Sequence, residues 1–124
     1  MTGYLIVTGI LFLIVGLRAL LKPIAAVATP YSLNAEGVDA RNYLRSGAGG
    51  VTIACAAVLI AGGLMPALSF AATVLAVTVL GGLVFGRLVS LALDGNPGPV
   101  PWISGVLEAL GFAFGAYWLI KSFS

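Results

Sequence analysis

Apolar residues run in four long blocks, each closed by a polar or turn-forming cluster. The first extends from Gly3 to Leu21, broken only by Arg18, and ends at Lys22 and Pro23. The second runs from about Asn42 to Leu64, opening polar at Asn42, Arg45 and Ser46 before it becomes uniformly apolar. The third covers about Ala67 to Leu93 with Arg87 as its only charge, and the fourth covers Pro101 to Ile120 with Glu108 inside it. About 20 apolar residues cross a hydrocarbon core of ~30 Å as a helix. No block shows the period-two alternation of a barrel strand, and backbone groups in lipid must pair within their own segment. The pattern therefore predicts an all-α integral membrane protein: four transmembrane helices, about 3–22, 42–64, 67–93 and 101–121, in an antiparallel bundle that forms one domain over 1–124.

The connections set the arrangement. Residues 23–41 form the longest, punctuated by Pro23, Pro30 and Gly37, with Ile24 to Thr29 apolar enough to lie along the interface and Asn34 or Asp39 as candidate caps for the next helix. Gly62, Gly63 and Pro66 predict a tight turn between helices two and three. Asp94-Gly95-Asn96-Pro97-Gly98-Pro99 is a strong turn signal, because Gly and Pro supply backbone angles that other residues resist. Pro101 suits the first turn of helix four, where a missing N–H costs nothing.

Four spans leave both termini on one side. The other side carries Lys22 and Arg41 at its helix ends, with Arg18, Arg45 and Arg87 just inside it, against Lys121 alone on the terminal side. Basic residues mark the cytoplasmic side, so the charge-rich face is expected in the cytoplasm and both termini outside. The N-terminus, MTGY, has no basic n-region, and no cleavable signal peptide is expected.

Composition narrows the chemistry. The chain of 124 residues is 60% hydrophobic and 8% charged, against about 25% charged in a soluble domain. Its few scattered basic residues make no nucleic-acid patch. There is no histidine, which removes the commonest general base and metal ligand. The single cysteine, Cys55, sits among alanines; it has no intrachain disulfide partner and reads as an inert thiol. No metal, cofactor or catalytic residue is expected.

The embedded charges carry the main signal. At 1.5 Å per residue, Arg87 lies about 10 Å in from Asp94, and Glu108 about 10 Å in from Pro101. Arg18 and Arg45 lie one to two turns from the same face. All the embedded charges thus fall in one half of the membrane. Arg87, Ser90 and Asp94 share a face at i, i+3, i+7, as do Asn42, Arg45, Gly49 and Thr52, while Glu108 shares one with Gly105, Gly111 or Phe112, and Gly115. A charge at the core costs about 2.5–3.5 kcal/mol on insertion scales. These side chains are therefore expected inside the bundle, with Arg87 or Arg45 paired to Glu108, since a guanidinium fork matches a carboxylate. Arg18 is near enough to the interface to snorkel instead. The candidate cluster is Arg18, Asn42, Arg45, Arg87, Ser90, Asp94 and Glu108. Its three arginines exceed its two acids by one charge, which favours an anionic amphiphile or lipid headgroup.

Small residues repeat at Gly82-x-x-x-Gly86, Gly111-x-x-x-Gly115 and Ser46, Gly50, Ala54. Such stripes let helices approach closely, mostly within one bundle, with a homo-oligomer contact as the sharper reading. Trp102, Tyr117 and Trp118 sit near helix ends as an aromatic belt.

Two patches resemble a bacterial family of small four-helix membrane proteins, domain-of-unknown-function family 4345. One is Asn42-Tyr43-Leu44-Arg45-Ser46-Gly47-Ala48-Gly49-Gly50, similar to the family's Asn-acid-apolar-Arg-Ala-x-Tyr-Gly-Gly pattern. The more specific is Gly86-Arg87, Ser90, Asp94-Gly95, Pro97 and Glu108. Tyr43 and Ala48 depart from the pattern, where an acid and a tyrosine are expected. The resemblance implies a four-helix membrane fold and brings no activity; the location expected for the chain is the inner membrane.

Function then rests on the residues. A binding module for an anionic amphiphile fits the charge cluster over an apolar bundle, with membrane lipid as its partner. A dimeric transporter working through Glu108 is the alternative, but that carboxylate lies off-centre among arginines. A membrane transferase is supported by analogy alone, and Ser90 has no histidine to activate it. A structural or assembly subunit with no ligand completes the set.

Overall fold

The computed structural model describes residues 1–34 and 36–124. Four helices are long and apolar enough to cross a membrane: α1, Thr2–Leu21; α2, Val38–Leu64; α3, Pro66–Asp94; and α4, Pro99–Lys121. No strand occurs among the described residues. The chain is thus an all-α, multi-pass membrane protein, as the apolar blocks predict.

The helix ends differ from expectation at three points. Helix α2 begins four residues before Asn42, at Val38, after Gly37 with φ 89°. Neither Asn34 nor Asp39 caps it by side chain; Asp39 lies in its first turn, where a carboxylate suits the positive end of the helix dipole. Helix α4 begins at Pro99, so Pro99 and Pro101 both occupy its first turn. Gly62 and Gly63 remain inside α2, and the turn is made by Met65 and a 3₁₀ segment, Pro66–Leu68. The Ser69 hydroxyl donates to the carbonyl of Gly62 across that turn at 2.6 Å, satisfying an acceptor that the helix end leaves free.

Glycines decide which faces meet. A Cβ on Gly9 would lie 2.7 Å from Ile60 Cγ1, one on Gly16 2.8 Å from Ile53 Cγ1, and one on Gly49 2.9 Å from Leu20 Cα. Helices α1 and α2 therefore cross at nearly backbone contact, through glycines that form no four-residue repeat. Ser46, Gly50 and Ala54 face outward instead. The reason is local: Arg45–Gly50 is a π-helical segment within α2, and the wider turn rotates Gly49 onto α1. Leu5, Leu59, Ala72 and Ala76 form the buried core, with Met1, Tyr4 and Phe12 against it. This core sits in the half of the bundle nearest the termini.

Helix α4 lies at the edge. It packs chiefly on α3, with Gly111 over Leu80 and Gly115 over Val77 and the Tyr4 hydroxyl. The Tyr4 hydroxyl also donates to the Gly111 carbonyl at 2.8 Å, tying α4 to α1. In the connection after α1, Ile24–Ala28 forms a π turn with Ala28 buried, and a turn with Ser32 at φ 57° follows.

Candidate functional site

The site begins with a close approach between α3 and α4. Gly105 has no side chain, and a Cβ there would meet Arg87 Cδ at 3.1 Å. The stem of Arg87 therefore crosses α4 at this point and reaches Glu108. Arg87 Nε donates to Glu108 Oε2 at 2.5 Å and Nη2 donates to Oε1 at 2.8 Å. This side-on pair leaves Nη1 outside it. The two side chains are 29% and 15% exposed, so the pair is neither sealed nor fully open.

Two further residues complete this layer. Tyr31, from the 23–37 connection, places its ring 6.0 Å from the guanidinium carbon of Arg87, at the outer limit of a cation–π contact. Its hydroxyl and the Ser104 hydroxyl share a hydrogen bond of 2.7 Å. Ser104, absent from the residues singled out by sequence, lies one turn before Glu108 on the same face, and its i, i+4 spacing is the signal that points to it. No such signal points to Tyr31, because only tertiary folding brings that connection over α4.

Toward the membrane surface, Ser90 donates to Asp94 Oδ2 at 3.2 Å on the exposed last turns of α3. In the following turn the Trp102 indole N–H donates to Asn96 Oδ1 at 2.6 Å. Trp102 thus sits at the helix end expected of an aromatic-belt residue, with its polar edge held by the turn.

The other expected members stand apart. Arg45 Nη1 donates to the Leu20 carbonyl in the last turn of α1, where a cation meets free carbonyls and the negative end of the helix dipole. Of the two arginines matched to Glu108 in the sequence, the partner is therefore Arg87. Arg18 and Asn42 are exposed and form no ion pair or hydrogen bond with this layer among the described residues. The reason is architectural: α1 and α2 pair with each other, whereas α4 pairs with α3. Tyr43 and Ala48 also lie outside the layer, with Tyr43 75% exposed.

Beside the ion pair, α3 and α4 flank an open groove of about 640 Å³. Its floor is low because it is made of Gly82, Gly86 and Gly105, and its walls include Leu83, Leu91, Trp102 and Val106. Gly82 and Gly86 have nothing within 4 Å of a built Cβ. Among the described residues their spacing therefore packs no helix, and it opens the groove outward. Arg87 and Ser90 are its polar lining. At this size it falls in the range of small-molecule sites.

The family model described as Domain of unknown function (DUF4345) matches residues 1–120. No curated protein matches the chain. No solved structure matches it.

Proposed function

The chain belongs to the family of the Domain of unknown function (DUF4345), and from that premise we propose that it is a membrane protein binding one lipid-like amphiphile between α3 and α4. The observation that carries this reading is the groove itself: an apolar trough, floored by glycines, with Arg87 and Ser90 along one stretch of it. An acyl chain would lie over Gly82 and Gly86, where side chains would otherwise stand. The acidic part of the headgroup would meet Arg87 Nη1, which the pair with Glu108 leaves over. Glu108 then orients the arginine rather than serving as a carrier, since both of its oxygens accept from Arg87. That engagement counts against exchange transport through Glu108.

A second reading is favoured by the same bidentate bridge: the pair holds α4 to α3, and the chain is a structural or assembly subunit. A homo-oligomer joined on Gly82 and Gly86 would fill the same groove. The two readings and the lipid site separate in one experiment. Protein purified in mild detergent is extracted and its retained lipid quantified, for the parent and for Gly82→Leu/Gly86→Leu. The open space at both glycines lets the variant keep its fold while filling the trough. About one retained amphiphile per chain, lost in the variant, is the expected result. Equal lipid content in both proteins rejects the binding site, and a parent dimer that becomes monomeric in the variant assigns the face to self-association.

For orientation, the proposal is a bacterial inner-membrane protein with both termini outside and the site near the cytoplasmic face. Arg18, Lys22 and Arg41 support it; Arg45 and Arg87 count for less, because each is already committed to a carbonyl or carboxylate.

A further inference from the structure

The charges that surround the groove are not those that the sequence alone suggests. Of the three embedded arginines, only Arg87 lines it, and Glu108 already balances that charge. Asp94, bonded to the groove residue Ser90, is then left uncompensated. Asp94 is the last residue of α3, and no basic residue lies in that last turn. A carboxylate there adds to the negative end of the helix dipole, the place where a cation is stabilised. Among the described residues its carboxylate forms no ion pair. Beside the groove, one turn from its lining residue Ser90, thus stands a carboxylate that pairs with no basic side chain among the described residues. Trp102 lines the groove, and an indole face is a further surface on which an ammonium group rests favourably.

We infer that the guest is zwitterionic: a phospholipid whose phosphate meets Arg87 and whose ammonium group meets Asp94 and the face of Trp102. The inference rests on the binding reading above and adds the chemistry of the headgroup. Arg87 and Asp94 are separated by about 10 Å of helix rise. They share one face of α3 two turns apart, an arrangement that a head with its phosphate and ammonium group joined by a short linker, such as ethanolamine, can address with both charges. A purely anionic head would place its phosphate at Arg87 with nothing to offer Asp94, and the net charge of Arg87, Glu108 and Asp94 would oppose it.

The test is native mass spectrometry of the full chain, titrated in detergent with phosphatidylethanolamine and phosphatidylglycerol carrying identical acyl chains. The parent should bind the ethanolamine lipid at least about fivefold more tightly. Asp94→Asn should bring the two lipids within about twofold of each other, and Asp94→Lys should reverse the order. Asp94 is exposed and its side-chain hydrogen bond is to Ser90 of its own helix, so both variants are expected to fold. Equal binding of the two lipids by the parent, or a preference unchanged in Asp94→Lys, overturns the headgroup assignment alone. Uptake of either lipid that Gly82→Leu/Gly86→Leu leaves unchanged overturns the groove as the site.

Discussion

Glu108 and Arg87 offer a quantity that can be worked from the structure. Interhelical hydrogen bonds in membrane proteins average about 0.6 kcal/mol and reach about 1.7, and those with charged partners reach about 1.5–3 kcal/mol. Here two such bonds are made side-on, at 2.5 and 2.8 Å, between side chains 29% and 15% exposed. Partial exposure screens the pair, so the coupling expected is about 2 kcal/mol, roughly thirtyfold in an equilibrium constant. The perturbation is a double-mutant cycle of Arg87→Met, Glu108→Gln and both together. The assay is reversible unfolding in mixed micelles, followed by Trp102 and Trp118 fluorescence. Each single variant strands a charge and should cost more than the coupling itself; the double variant should recover part of that loss. A coupling below about 0.5 kcal/mol would refute the claim that this pair fastens α4, since that is within the additivity error of unconnected sites.

Other outcomes follow from the same contacts. Gly16→Ala and Gly49→Ala put a Cβ 2.8 Å from Ile53 Cγ1 and 2.9 Å from Leu20 Cα, and should each cost about 1–3 kcal/mol in the same unfolding assay, whereas Gly82→Ala, facing open space, should cost nothing measurable. Tyr4→Phe removes the bond to Gly111; a loss of about 0.5–1.5 kcal/mol with unchanged helicity by circular dichroism is expected. Membrane-impermeant thiol labelling in a Cys55→Ala background should modify a cysteine at Ser124 from outside intact cells and one at Gly37 only after lysis; the reverse pattern would invert the proposed orientation.

The sequence carries the four helices plainly because the solvent does: a bilayer requires about 20 apolar residues per span, and no tertiary detail alters that. The ion pair was legible for a similar reason. Arg87 and Glu108 lie at matching depths on either side of one turn, so a hairpin alone brings them together. Arg45 and Arg18 show where depth stops being enough. They lie at a similar depth, but which helices are neighbours decides contact, and α1–α2 packing gives Arg45 the Leu20 carbonyl. That packing depends on Gly9, Gly16 and Gly49, and Gly49 reaches α1 through a π turn that no residue pattern announces. Tyr31 arrives over Arg87 by the path of a long connection. The groove, finally, is an absence of side chains at Gly82 and Gly86, and their spacing reads equally well as a packing stripe until the neighbouring helix is located.

The central claim is that one amphiphile occupies this groove. A nitroxide-labelled lipid added at one equivalent to isotope-labelled protein in detergent tests it most directly. Methyl resonances of Leu83, Leu91 and Val106, which line the groove, should broaden first. Those of Val7, Ile14 and Val15, exposed on α1, should stay sharp. Broadening of equal extent on both faces would mean that the lipid merely coats an apolar surface, and would contradict the account.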